Sequence, residues 1–237
     1  MRKIICVTFP RSGHHLLVNL LLKYYSKDLN YLETSGDKTD TLCSRVLTAG
    51  DMHYCELYNH CKQIPCSDPK TNFQKTHDFD LSLQPSNDFF YIILYRNPLD
   101  SIVSHFNYYL HNNMSSFFAS DVNFNRKGWE EFANKDIEFW KNFVKKWLVW
   151  KNDTNRIYVS YEELIKSPHI SFINILKFIN PNSKIDLNLL SALINRLNIE
   201  KKNNIKDFDY YNEGFFSDLE KKVKKEMDLL DLDLKFN

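Results

Sequence analysis

The chain has 237 residues, 43% of them apolar, with 31 basic against 30 acidic side chains and a net charge of +1. A nonspecific nucleic-acid binder carries a clear basic excess, so that role is excluded, although local anion sites depend on placement and not on totals. No apolar stretch approaches the ~20 residues of a membrane-spanning helix, and the length suits one α/β domain, expected to span residues 1–237. Arg2-Lys3 followed by Ile4 to Phe9 resembles the start of an export signal, but Pro10-Arg11 ends the apolar run early, so a cytoplasmic location is expected. Five cysteines with no secretory context argue against a disulfide framework.

In chain order, Lys3-Ile4-Ile5-Cys6-Val7-Thr8 reads as a buried parallel strand. Phe9-Pro10-Arg11-Ser12-Gly13 is the turn after it, and a helix follows from about His14 to Tyr25 with Leu16, Leu17, Leu20, Leu21 and Tyr24 as its apolar stripe. Residues 26–50 are polar and turn-rich, with weak strand signals at Tyr31-Leu32 and Val46-Leu47, and a helix is expected around 51–63. Cys43, Cys55, Cys61 and Cys66 cluster with His53 and His60. Only Cys61-x₄-Cys66 reaches the spacing of the tight pairs tetrahedral zinc favours and the other gaps are longer, so ordinary thiols are expected and no metal.

Asn72 to Thr76 is a short strand, and Phe89 to Tyr95 a strong one. After it, Asn97 can cap a helix whose first position is Pro98. Leu99, Ile102, Val103, Phe106 and Leu110 mark its buried side, while Asn97, Ser101, Ser104 and Tyr108 fall on another stripe. Residues 112–128 read as a surface loop, Trp129 to Trp150 as a long amphipathic helix, and Arg156 to Ser160 as a strand. Short helices follow at Tyr161 to Leu164 and Ile170 to Ile179, then at 187–199 and 215–230, with 198–213 polar enough to be mobile. Strands alternating with helices predict an α/β fold with a central parallel sheet flanked by helices on both faces.

Two strand-to-helix junctions carry a basic side chain beside backbone amides, Arg11 with Ser12 and Gly13, and Arg96 with Ser104 two turns further on. Such junctions suit anionic groups, and two of them suggest a ligand with two separate phosphates. The first is not a kinase-type loop, because it lacks that motif's first glycine and its lysine. Lys75-Thr76-His77 follows a strand and offers a base near neutral pH beside a cation.

These elements together resemble the sulfotransferases that use 3′-phosphoadenosine 5′-phosphosulfate (PAPS). The family's T-Y-P-K-S-G-T-T-W stretch is matched by Thr8-Phe9-Pro10-Arg11-Ser12-Gly13-His14-His15-Leu16, and its K-T-H by Lys75-Thr76-His77. R-N-x-x-D-x-x-x-S is matched by Arg96, Asn97, Asp100 and Ser104, and Y-E-D-[LM]-x-x-x-P by Tyr161-Glu162-Glu163-Leu164 and Pro168. The resemblance implies a P-loop-like sulfotransferase fold, PAPS as donor, 3′,5′-adenosine bisphosphate (PAP) as product, and no metal. It makes His77 the general base, with Lys75 and Arg11 stabilising the departing oxygen. It places Arg11, Ser12, Gly13, His14 and His15 at the 5′ phosphosulfate, Arg96 and Ser104 at the 3′-phosphate, and Tyr161 against the adenine.

The sequence departs from the family at several places, among them Leu16 where the family has an adenine-facing tryptophan. Arg11 stands where the cytosolic branch has lysine, as in many membrane-bound carbohydrate sulfotransferases. His14 and His15 replace two threonines, and the helix dipole there favours neutral imidazoles. A C-terminal basic-x-Gly loop is degraded, with Gly214 its nearest match and Lys206 or Lys201-Lys202 as possible cations. The implied acceptor is a small molecule or carbohydrate. It would be bound by residues from 34–60 and 112–130, with Met114, Phe117, Phe118, Phe124 and Trp129 as aromatic walls beside Arg126 and Lys127. The competing readings are a kinase on a related scaffold and a non-catalytic nucleotide binder.

Overall fold

The computed structural model describes residues 3–26, 43–48, 51–54, 65, 71–112, 125–149, 154–196, 204–234 and 236. The chain divides into two compact units. One comprises Met1–Thr8, Gly13–Tyr95 and Asn152–Ile199, and the other Phe9–Ser12, Arg96–Lys151 and Glu200–Asn237.

The first unit holds a six-stranded sheet built from β1 (Ile4–Thr8), β2 (Cys43–Thr48), β3 (Asp51–Tyr54), β4 (Thr71–Thr76), β5 (Phe90–Tyr95) and β6 (Arg156–Ser160), in the order β3-β2-β4-β1-β5-β6. β4, β1, β5 and β6 run parallel, and β2 and β3 add antiparallel pairings at one edge. Every residue of β1 is buried, which is why Ile-Ile-Cys-Val-Thr shows no polar alternation. Helices α1 (His14–Ser26), α4 (Tyr161–Lys166), α5 (Pro168–Ile179) and α6 (Leu187–Arg196) complete this unit. Leu17, Leu20 and Leu21 of α1 share one core with Ile4, Ile92, Leu94, Phe172, Leu176 and Leu190. The parallel register sets Cys6 beside Lys75 and Val7 beside Thr76, which brings Lys75 and His77 to the carboxyl end of β4 next to that of β1.

The second unit contains α2 (Pro98–Asn112), α3 (Arg126–Trp147), a 3-10 turn (Ile205–Asp207) and α7 (Glu213–Leu229). Asn97 caps α2 as its spacing predicts, its Oδ1 accepting from the Leu99 amide at 3.1 Å, while its Nδ2 donates to the Asp233 carbonyl. The interior is aromatic. Phe9 stacks on Phe139 at 5.3 Å, and Trp129 packs edge-on against Phe208 at 4.6 Å and against Phe106 at 5.3 Å.

Four expectations change. Residues 51–54 form a strand where a helix is expected, because a short polar segment takes its conformation from the ladder it joins on β2; residues 55–63, like Tyr31-Leu32, lie outside the described residues. The long helix begins at Arg126, since the Asn125 side chain accepts from the Gly128 amide at 2.9 Å, and it ends at Trp147. Trp129 is therefore core and not an acceptor wall, and Arg126 and Lys127 are exposed in the helix's first turn. Within 204–213 Ile205 and Phe208 are buried, Phe208 against Trp129, where a polar segment is expected. Met114, Phe117, Phe118 and Phe124 lie outside the described residues, as do the Cys55, Cys61 and Cys66 members of the cysteine cluster. Asn125→Ala is expected to cost about 1 kcal/mol of stability in urea denaturation; an unchanged midpoint would show that the cap does not hold the start of α3.

Candidate active site

The strand-to-helix junction after β1 bends through two left-handed residues, Arg11 at φ 61° and Gly13 at φ 90°. Within the turn the Ser12 amide donates to the Phe9 carbonyl at 3.2 Å, and the first helical bond runs from the Leu17 amide to the Gly13 carbonyl at 3.0 Å. The amides opening α1 thus have no carbonyl one turn earlier in the helix, and they sit at its positive end. Glycine at 13 is demanded twice. Its φ lies where side chains are strained, and a Cβ would stand 2.5 Å from Tyr161 Cδ2. Tyr161 is held there by the cap that opens α4, in which Ser160 Oγ accepts from the Glu163 amide at 3.0 Å.

In the same unit His77 Nδ1 lies 2.7 Å from the Thr8 carbonyl oxygen and 3.0 Å from Thr8 Oγ1. A carbonyl only accepts, so Nδ1 carries a proton. Lys75, two residues earlier and 7% exposed, is the penultimate residue of β4. His14 is 4% exposed, and burial, then the charges of Lys75, His77 and His15, hold its imidazole well below the ordinary histidine range. It is therefore neutral, as expected, although burial and not the helix dipole is the main cause. His14 Nδ1 meets Cys6 Sγ at 3.8 Å, and its buried Nε2 has no hydrogen-bond partner among the described residues. Burial pushes the Cys6 thiol far up, partly offset by Lys75, so it stays protonated. His15 is exposed, its ring edge-on to His14 at 5.9 Å.

The second unit gathers the other predicted residues. Arg11 Nε donates to Ser104 Oγ at 3.2 Å, and its guanidinium lies 5.1 Å from the centre of the Tyr108 ring. Arg96 Nη1 donates to the Arg11 carbonyl at 3.3 Å, and Ser101 Oγ donates to the Pro10 carbonyl. The polar stripe of α2 therefore grips the turn, and Ser101 is a member that motif reading passes over. Ser12 Oγ is buried with no hydrogen-bond partner among the described residues. Gly214 lies in the first turn of α7, where a Cβ would make only ordinary contact with Asn212 Oδ1 at 3.5 Å, so nothing in its backbone demands glycine. Lys206 is exposed on the 3-10 turn, and Lys201 and Lys202 lie outside the described residues.

In the first unit, the unpartnered buried His14 Nε2 beside a glycine whose backbone approach depends on having no side chain fits an anionic oxygen-rich group. Among the described residues there is no group of three or more side chains suited to a metal ion, and no helix long and apolar enough to cross a membrane.

The sulfotransferase domain model matches residues 1–229, and the chain belongs to that family. Mouse sulfotransferase 1 family member D1 is 26% identical over 195 residues, covering 74% of this chain and 58% of that protein, so the chain spans less than two thirds of that relative's length. Retinol dehydratase, crystallised with androsterone and the inactive cofactor PAP, shares the fold with a TM-score of 0.60 at 17% identity over 99% of this chain and 83% of its own. Mouse SULT7A1, crystallised with PAP, gives 0.54 at 18% identity over 97% and 87%.

Gly13→Ala is expected to lose about 1–3 kcal/mol from backbone strain alone, with the overlap on Tyr161 adding to it. Wild-type stability in chemical denaturation would show that the turn tolerates a side chain.

Proposed function

We propose that the chain transfers the sulfonyl group of PAPS to a hydroxyl or amine of a small-molecule or carbohydrate acceptor. The observation that carries this reading is the Thr8 carbonyl on His77 Nδ1, which leaves Nε2 as the basic nitrogen beside a buried lysine. PAP in the crystal structures of retinol dehydratase and mouse SULT7A1 supports the choice of donor.

In this reading His77 Nε2 takes the acceptor's proton as the acceptor oxygen or nitrogen bonds to sulfur. The bond from sulfur to the bridging phosphate oxygen breaks, and PAP departs with the electron pair. Lys75 and Arg11 offset the charge that builds on that oxygen. Positioning and electrostatics carry most of the acceleration, as in phosphoryl transfer. The amides opening α1, with Ser12, Gly13, His14 and His15, hold the 5′ phosphosulfate. The neutral His14 serves as an N–H donor, since Nδ1 faces the protonated Cys6 thiol. Tyr161 takes the adenine, and Arg96 and Ser104 the 3′-phosphate, with Gly214 and Lys206 a weaker addition. Residues 1–237 act as one catalytic domain in the cytoplasm, with no metal, nucleic acid or membrane partner. Arg11 in place of lysine tilts the acceptor toward a carbohydrate.

His77→Ala is expected to lower kcat by about 10²–10⁴ in single-turnover assays with labelled PAPS, with PAP affinity retained in calorimetry. Near-normal turnover would remove His77 from the chemistry. PAP at 100 times its Kd should stabilise the wild type by about 2.7 kcal/mol, while ATP–Mg²⁺ should give no comparable shift. Stabilisation by ATP–Mg²⁺ alone would favour a kinase.

A further inference from the structure

We propose that His105 and Asp136 are positioning residues for recognition of the 3′-phosphate, because their buried bridge sets where α2 lies on α3 and so where the Ser104 hydroxyl stands. The proposal rests on the donor assignment above.

His105 is 3% exposed and Asp136 is fully buried. The His105 Nδ1–H donates to Asp136 Oδ2 at 2.9 Å, and Nε2 lies 3.2 Å from the Tyr109 hydroxyl. Around this bridge the two helices meet through rings. Phe132 lies edge-on to His105 and to Phe106, both at 5.3 Å, and Trp129 packs on Phe106 at 5.3 Å. Ring contacts fix the distance between the helices, and the bonded carboxylate adds a point where direction matters as well. Moving α2 by one residue along its axis means a shift of about 1.5 Å and a turn of about 100°. That breaks the 2.9 Å bond and strands a buried carboxylate whose Oδ1 has no hydrogen-bond partner among the described residues. The polar pair therefore adds a directional tie to the register that the buried apolar face of α2, Leu99, Ile102 and Phe106, already favours.

That register matters because the neighbouring stripe of the same helix is the one that holds the turn. Ser104 immediately precedes His105 in sequence and accepts from Arg11, and Ser101 reaches the Pro10 carbonyl. α3 fixes the start of α2 at a second point. Trp140, one turn beyond Asp136 on the same helix face, donates to the Arg96 carbonyl at 3.3 Å. Asp136 and Trp140 together tie Arg96 and α2 to one rigid helix, so both side chains assigned to the 3′-phosphate depend on α3 for their placement. No motif in the sequence includes His105 or Asp136.

The test compares calorimetric affinities for PAP and for adenosine 5′-phosphate, whose ratio reads the 3′-phosphate alone, together with unfolding midpoints. The variants are His105→Phe/Asp136→Leu, which replaces the bridge with apolar side chains, and Asp136→Asn, which keeps the shape and removes the charge. In the double variant the ratio is expected to fall about tenfold, with adenosine 5′-phosphate affinity unchanged and a midpoint near wild type, since buried ionic pairs are commonly replaced by apolar ones without loss of stability. Asp136→Asn is expected to lower the ratio several-fold, and it decides the matter if the double variant fails to fold. A wild-type ratio in a folded variant overturns the proposal, and so does an equal loss of both affinities. If the wild type itself does not prefer PAP to adenosine 5′-phosphate, the donor assignment fails and this proposal fails with it. A preference that survives in the variants removes the positioning role alone.

Discussion

Gly13 stands at φ 90° with the Tyr161 ring occupying the space a Cβ would need, and the helix beginning at His14 can start only because of it. That one backbone constraint determines which groups the first unit can present. The helix it opens starts with amides that have no intrahelical carbonyl, and His14 in its first turn meets Cys6 with Nε2 unpartnered among the described residues. Any residue but glycine would have to move either the turn or the tyrosine. Moving the tyrosine would disturb the cap at Ser160 that links β6 to α4.

The end of β1 does a second job through its backbone. The Thr8 carbonyl has no further strand residue to serve and instead accepts from Nδ1 of His77, a residue 69 positions away in sequence. Parallel pairing of β1 with β4 makes this possible, because the register that sets Cys6 beside Lys75 carries His77 to the level of Thr8. The same pairing buries the Lys75 ammonium near His14, which is one reason the His14 imidazole stays neutral. The two imidazoles thus have different surroundings, His14 buried and neutral and His77 half-buried on the Thr8 carbonyl. In the second unit, the turn is gripped from α2 by one serine on its Pro10 carbonyl, another on the Arg11 side chain, and Arg96 on the Arg11 carbonyl.

Most of the parallel sheet, and the placement of Arg11, Lys75 and Arg96 near its strand ends, could be read from the residues. Uninterrupted apolar runs mark β1 and β5 because both faces are covered, and Asn97-Pro98 marks a helix start by local geometry alone. The polar stripe of α2 was also visible, since helical spacing separates Ser101, Ser104 and Tyr108 from the apolar side. What escaped has a common cause, dependence on distant partners. β3 is a strand because β2 lies beside it, not because Asp-Met-His-Tyr prefers to be one. Trp129 reads equally as core or as acceptor wall until Phe106, Phe208 and Phe216 are seen around it. His105 and Asp136 are 31 residues apart on two helices, and no local pattern announces a pair made only by packing. Gly214 stands apart from Gly13, because its backbone and surroundings make no demand for glycine.

A crystal structure of the chain with PAP bound tests the central point most directly. The 5′-phosphate is expected on the backbone amides that open α1, within hydrogen-bonding distance of His14 Nε2, with Gly13 still at positive φ against Tyr161. A nucleotide bound elsewhere, with the amides and His14 Nε2 making no contact to phosphate, would contradict it.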